Sequence, residues 1–434
     1  MASNANLAPP RDAEKGDAQA AAVVSGAPRG GGGAGAGGAV ALLTGGYDRP
    51  YTFGLAMALA AAGVQVDVIG GTFVDRPEFH TTPGITFLNL RGDKNPEWSR
   101  ARKALSLAAY YLRLLRYAAG ARPQVFHILW NNQAAWFDRT LLTALYRLRG
   151  KRIVLTAHNV NQAARDGRDS AANRLTLRTQ YRLADAIIVH APAMAAQLRS
   201  DFGVPAGAIL TVPFPINDSV PVTGLTREGA RAKLGLRPDD RVLLFFGQIR
   251  PNKGLEYLVR GLRILIREDP RYRLLIAGAP RRDAVGYLQS VREEIRNAGL
   301  GDSVVEHATY VTDEETEAYF KAADALVLPY RDVSQSGVLF LGFAFGLPAI
   351  ATAVGGMPDA VVEGRNGALC NPEDPASIAA AVRRCLAASP AEAARRRAEI
   401  ARRARETNSW ARVAEDSAAL YLRVVNTCRS SEQK

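Results

Sequence analysis

From residue 39 onward, short apolar runs alternate with stretches of helical spacing. Ala39-Val40-Ala41-Leu42-Leu43 reads as a buried strand, and Tyr51 to Ala62 places apolar residues at helical intervals. Further strands are expected at Val64–Gly70, Val125–Ile128, Arg152–Leu155 and Ala186–Val189, with helical patterning between them. This strand–helix–strand grammar implies a parallel sheet covered by helices. The pattern pauses between about Pro213 and Asp240, where Pro213, Pro215, Pro221 and Pro238 surround a short helical piece near Arg227–Leu234. A second set then begins: Arg241–Phe246, Arg273–Ala277, Val304-Val305, Ala325–Leu328 and Ala349–Ala351. Asp374 to about Val425 reads as Arg-rich amphipathic helices.

The expected fold is therefore α/β, two Rossmann-like doubly wound domains facing across a cleft. Ligands in such open sheets sit beyond the carboxyl ends of the strands. The expected organisation is a low-complexity extension over 1–38, a first domain over 39–214 and a linker over 215–239. A second domain follows over 240–405, then a helix and tail over 406–434, the helix packing back on the first domain.

Composition narrows the function classes. The chain has 434 residues, 47% apolar and 22% charged, which are globular values. Its three cysteines, Cys370, Cys385 and Cys428, form no C-x-x-C pair, arguing against a disulfide scaffold or cysteine-held zinc and fitting a cytoplasmic setting. With 55 Lys and Arg against 42 Asp and Glu, the net charge of +13 favours anionic partners, or else sits on solvated helix faces. No recognised nucleic-acid module accompanies that charge, so nucleic acid is not an expected partner. Residues 1–38 lack the apolar core of a signal peptide. Gly33, Gly35 and Gly38 fit G-x-G-x-x-G but precede the first strand, the wrong place for a dinucleotide fingerprint. The long uncharged stretch around Gly337–Gly356 holds several glycines and Pro348, as buried strand and loop would. Ala101 to Arg122 mixes Leu, Tyr and Ala with cations and contains no acid, near Trp98. It reads either as a docking helix with a solvated Arg face or as an element lying on an anionic membrane surface.

Three clusters could carry chemistry. In Phe246-Gly247-Gln248-Ile249-Arg250-Pro251-Asn252-Lys253-Gly254, two cations lie three residues apart between a strand and a helix. Arg250 can grip oxygens bidentately while Lys253 acts as a point charge, and the helix start adds N–H donors. In Leu328–Val338, Ser334, Gln335 and Ser336 offer hydrogen bonds and Gly337 permits close backbone approach. Simple N-capping by Ser336 is the plainer reading there. His158, in Leu155-Thr156-Ala157-His158-Asn159, stands at the carboxyl end of a strand. No arrangement resembles a metal site or a Ser-His-Asp order.

Together these stretches resemble the retaining glycosyltransferases of the GT-B fold, family 4. The likeness spans about 39–425 and is most specific in FGQIRPNKG at 246–254, LPYRDVSQSGVLF, and AFGLPAIATAVGGMPDAVVEGRNGALCNPEDPASIAAAV at 344–382. It implies that the second domain binds a nucleotide-sugar donor and the first a sugar or lipid-linked acceptor. Arg250 and Lys253 would neutralise the leaving diphosphate without a metal or other cofactor. Gly45 and Gly46 would let backbone approach the ligands, His158 would meet the transferred sugar, and Ser334, Gln335, Ser336 and Gly337 would contact the donor. Transfer would proceed with retention, at the cytoplasmic face of a membrane if the acceptor is a lipid-linked or polysaccharide precursor. A soluble transferase for a small metabolite and a non-catalytic nucleotide-sugar-binding relative are the alternatives. Two departures stand out. Gln248 occupies the place of the family's Arg, and Val333 and Leu341 occupy those of its paired glutamates.

Overall fold

The computed structural model describes residues 38–45, 49–93, 95, 97–132, 134–165, 167–217 and 220–429. Residues 1–37, the extreme C-terminus and Gly46 lie outside the described residues. Strands β1 (Ala39–Leu43), β2 (Gln65–Gly70), β3 (Ile85–Asn89), β4 (Val125–Ile128), β5 (Arg152–Thr156), β6 (Ala186–Val189) and β7 (Ile209–Thr211) build the first sheet. Its order is β3-β2-β1-β4-β5-β6-β7, with parallel pairing between neighbours. The second sheet comprises β8 (Arg241–Phe246), β9 (Tyr272–Ala277), β10 (Val304–His307), β11 (Ala325–Leu328), β12 (Ala349–Thr352) and β13 (Gly367–Cys370). Its order, β10-β9-β8-β11-β12-β13, repeats the first, again with parallel pairs.

Helices cover both faces of each sheet, so the strands are buried on both sides and read as continuous apolar runs. In β1, Val40 and Leu42 enter one core and Ala41 and Leu43 the other. Each sheet reverses its winding between its first and fourth strands. The two switch points therefore fall after β1 and β4, and after β8 and β11, where this architecture holds ligands. All three sequence clusters follow strand ends, two of them at the second switch point.

The stretch expected to link the halves contains the helix Arg227–Lys233, which packs into the second half. Ala230 and Leu234 join its core, and the buried Arg231 donates from Nη2 to Asp324 Oδ2 at 2.8 Å. At the C-terminus, the helix Pro390–Thr407 packs Ile400 and Ala404 into the second half, while the helix Trp410–Arg429 places Val413, Ala414, Leu420 and Tyr421 in the first. Asn408 stands between them and holds the chain where it leaves the first sheet: its Nδ2 donates to Phe214 O at 2.7 Å, and its own carbonyl accepts from Ile216 N at 3.0 Å. Two further bonds join the halves, Gln335 Nε2 to His190 O at 3.2 Å and Ala193 N to Asp359 Oδ2 at 3.1 Å.

Candidate active site in the cleft

A cavity of about 1000 Å³ lies between the halves. From the first half it is lined by the ends of β4 and β5, with Trp130, Asn131, Thr156, His158 and Asn159, and by Arg139, Gln180 and Tyr181. From the second half come Gln248 and Arg250. The structure thus brings His158 and Arg250, which are 92 positions apart in the chain, onto one cavity. Gln248 takes a specific part: its Oε1 accepts from Arg250 Nε at 2.7 Å. The amide standing where the family carries Arg orients the cation two residues later.

His158 is held by rings rather than by hydrogen bonds. Trp130 stacks on it with centroids 4.4 Å apart and planes 8° from parallel, and Tyr51 meets it edge-on at 4.7 Å. Its Nε2 has no hydrogen-bond partner among the described residues. Burial, and then the neighbouring His190 and His127, push its pKa well below the usual histidine value, so the ring is neutral at pH 7. His127 and His190 lie deeper. His127 is bonded at both ring nitrogens, to Tyr421 Oη and Thr156 Oγ1, each at 2.7 Å. His190 donates from Nδ1 to Val212 O at 3.1 Å, which leaves its neutral Nε2 as a bare acceptor.

Lys253 ends a 3₁₀ turn, Pro251–Lys253, in the loop after β8, and its Nζ lies 3.7 Å from the ring centroid of Tyr330 in the loop after β11. The same two loops are tied by Arg331 N donating to Asn252 O at 2.9 Å. Lys253 is not among the residues lining the large cavity; the two cations of the motif approach different surroundings. Ser336 occupies the N-cap position of the helix Gly337–Ala344, yet its side chain makes no capping bond. The plain capping reading gives way to a pairing of Ser336 Oγ with Tyr330 Oη at 3.3 Å, both residues buried. Ser334 is half-buried and its carbonyl accepts from Gly356 N at 3.1 Å. Gln335 lines a separate cavity of about 470 Å³ together with His190 and Phe214. Gly337 is exposed at the helix start. Gly45 has φ +60°, and a Cβ there would sit 2.7 Å from Asn131 O, so its close approach is to the β4 loop.

Val333 and Leu341 are each 7% exposed and belong to the apolar core of the second half. Trp130, Asn131 and Arg139 were not singled out from the sequence. The switch-point rule applied to the end of β4 would have found Trp130 and Asn131. Arg139 carries no local signal of that kind.

Two parallel doubly wound sheets in repeated order, with a polar cavity between them, define the GT-B class of glycosyltransferase. Comparison with known proteins agrees. A family model described as Glycosyltransferase Family 4 matches residues 50–220, and one described as Glycosyl transferases group 1 matches residues 240–388. The D-inositol 3-phosphate glycosyltransferase of Streptomyces avermitilis is 28% identical over 395 residues, covering 87% of this chain and 83% of that protein. Its counterpart in Mycolicibacterium smegmatis is 27% identical over 396 residues, covering 88% and 87%. Among solved structures, sucrose-phosphate synthase from Thermosynechococcus elongatus superposes with a TM-score of 0.72 at 23% identity, over 90% of this chain and all of that one. Anabaena HepE, solved in complex with UDP, gives 0.68 at 16% identity, over 91% of this chain and all of its own. The chain belongs to the family 4-like glycosyltransferases of the GT-B fold.

Proposed function

We propose that the protein transfers a sugar from a nucleoside-diphosphate sugar, held by the second half, to an acceptor held in the large cavity by the first, with retention of configuration. The observation that carries this reading is the meeting of the β8 and β11 loops. There Lys253, Tyr330, Ser336 and the start of the Gly337–Ala344 helix come together at the switch point of the second sheet. Arg250 and Lys253 take up the charge of the departing diphosphate, so the reaction needs no metal ion. Ser334, Gln335, Ser336 and the backbone at Gly337 offer the donor neutral hydrogen bonds, and the first loop at Gly45 approaches the cavity wall at Asn131. His158, neutral and with Nε2 free, bonds a hydroxyl of the transferred sugar. Retention rests on the likeness to the retaining family. The UDP complex of HepE makes uridine the first base to try.

The test is a thermal-shift panel of UDP-, GDP-, ADP- and dTDP-sugars without added metal, followed by transfer assays. Binding to the folded state raises Tm by mass action. One donor is expected to raise Tm, and Lys253→Ala is expected to lose both that shift and transfer, with unchanged circular dichroism. Transfer and donor affinity unchanged in Lys253→Ala would refute the diphosphate assignment. Donor binding without donor-dependent release of nucleoside diphosphate would identify a non-catalytic relative.

Two acceptor readings remain in play, a lipid-linked or polysaccharide precursor and a soluble metabolite such as the D-inositol 3-phosphate named for the relatives. One surface element supports the first. The helix Arg100–Gly120 docks through Tyr110, Leu114 and Ala118 but leaves Leu105 71% and Leu112 64% exposed beside its cations. Arg102 lies 4.5 Å from the ring of Trp98 at its start. No helix among the described residues is long and apolar enough to cross a membrane, so association would be peripheral. Flotation with anionic vesicles at low salt should carry the protein upward, and Leu105→Ser/Leu112→Ser should reduce it. A protein that stays at the bottom of the gradient excludes this role.

A further inference from the structure

Among the described residues no Asp or Glu lines the large cavity, whereas two arginines do. Arg250 belongs to the diphosphate side. Arg139 stands on the wall of the first half, in a π-helical turn, Asp138–Leu142, that follows the β4 loop. Such turns are rare and recur at functional sites. Its Nη1 donates to Asn173 Oδ1 at 2.8 Å and Thr176 Oγ1 at 3.2 Å, both neutral acceptors. Its Nε is buried with no partner, and no carboxylate among the described residues makes an ion pair with it. The adjacent Asp138 accepts at Oδ1 from Tyr111 Oη at 2.8 Å and Asn132 Nδ2 at 3.2 Å, while its Oδ2 has no hydrogen-bond partner among the described residues.

Arg139 is half-buried, and burial lowers its pKa by more than the neighbouring Asp138 carboxylate raises it, so the protein compensates this guanidinium only in part. Arg91 stands behind this wall of the cavity rather than on it. It is 7% exposed, its Nε and Nη1 also lack partners, and it lies 5.0 Å from the ring of Tyr110. The Tyr110 hydroxyl bonds Asn132 on the cavity wall. Two guanidinium groups against one carboxylate leave this wall positive. The neighbouring wall has another character: Asn131 and Gln180 bond each other through both amides, beside Trp130 and Asn159. Amides and an aromatic face suit the hydroxyls and ring of a sugar or polyol.

We infer that the acceptor is a polyhydroxylated molecule bearing a phosphate, and that Arg139 is the residue that recognises the phosphate. This rests on the reading of the cavity as the acceptor side of a transferase. The fork of a guanidinium matches phosphate oxygens, and the acceptor's negative charge supplies what the protein omits. A free sugar or polyol phosphate and a lipid-diphosphate-linked sugar share this chemistry.

The test measures equilibrium binding by calorimetry, in the presence of UDP, so that it does not depend on turnover. The soluble probes are hexose, pentose and inositol monophosphates, each paired with its unphosphorylated parent. A short-chain prenyl diphosphate sugar, paired with the same sugar on a neutral prenyl chain, represents the lipid source. At least one phosphorylated probe should bind about 10- to 100-fold more tightly than its parent. Arg139→Gln should abolish that difference, and Arg139→Lys should restore part of it through charge alone. Binding of UDP should be unchanged in both, and it also reports that the variants are folded. Preference for the soluble or the prenyl probe tells which source applies. No preference for phosphate in any pair, or a preference that survives Arg139→Gln, overturns the inference. Failure of the donor reading shows separately, as UDP binding indifferent to Lys253→Ala.

Discussion

Gly355 shows how a single position can fix the packing of the loops after β11 and β12. Its φ is +53°, and a Cβ built on it would lie 1.6 Å from Val333 O. The next residue, Gly356, donates its N–H to Ser334 O at 3.1 Å. The β12 loop therefore lies directly on the β11 loop, with no room for a side chain between them. Gly254, with φ +66°, makes a similar approach to Pro329 O, 2.0 Å from its notional Cβ. Gly355→Ala combines backbone strain with a collision against rigid main chain and is expected to cost about 2–4 kcal/mol. Urea unfolding should show that loss, with loss of the donor-induced thermal shift; a variant as stable as the parent and still binding donor would contradict this packing. The sequence already marked these glycines as part of a family signature, and the structure supplies the physical reason. Arg139 was not legible in the same way. Its character comes from partners 34 and 37 residues away and from a carboxylate bonded to Tyr111, neither of which is written locally.

At the scale of elements, the buried strands were the legible part. β1, β4, β6, β8 and β11 match the apolar runs end for end, because strands covered on both faces have no polar alternation to blur them. Three of the four edge strands were missed; the fourth, β10, was expected at Val304-Val305. β3 is half-buried or exposed along its length, and β7 is only Ile209–Thr211, so neither carries a sustained apolar run. β13 at Gly367–Cys370 hides within a turn-rich signature. The helix Arg227–Lys233 was visible by its spacing, but its placement was not. Arg231 looks like a surface cation until Asp324, 93 residues later, receives it. The same holds for Val333 and Leu341. Their sequence positions flagged a departure from the family, and only the fold shows that both side chains fill core.

The whole molecule carries a dependence on pH that follows from where three histidines are packed. His127 and His190 lie under the cleft, 0% and 4% exposed, and His158 stands above them on the cavity wall. Burial lowers the pKa of His127 to about 3 and that of His190 to about 4, and acts on His158 in the same direction. In the unfolded chain each would titrate near its ordinary value of about 6.5. As pH falls below about 6.5 the unfolded state takes up protons that the folded state refuses, and stability drops until the folded values are reached. For His127 and His190 the loss approaches about 1.4 kcal/mol each per pH unit, and comes to about 3 kcal/mol together between pH 6.5 and 5. That is a large part of the about 5–15 kcal/mol by which domains are usually stable. Asp138 works the other way, since burial raises its carboxyl. The carboxylates of Asp169 and Asp269, held down to about 2 by their hydrogen bonds, lose their contribution only below about pH 4. Between pH 7.5 and 5 Asp169 and Asp269 stay charged, so the fall in stability there comes from the histidines, opposed in part by Asp138. Urea unfolding at several points across it should show a stability that is level above pH 7 and falls steeply below 6.5. A midpoint that stays constant down to pH 5 would mean that these rings are not the neutral, buried groups on which the cleft is built.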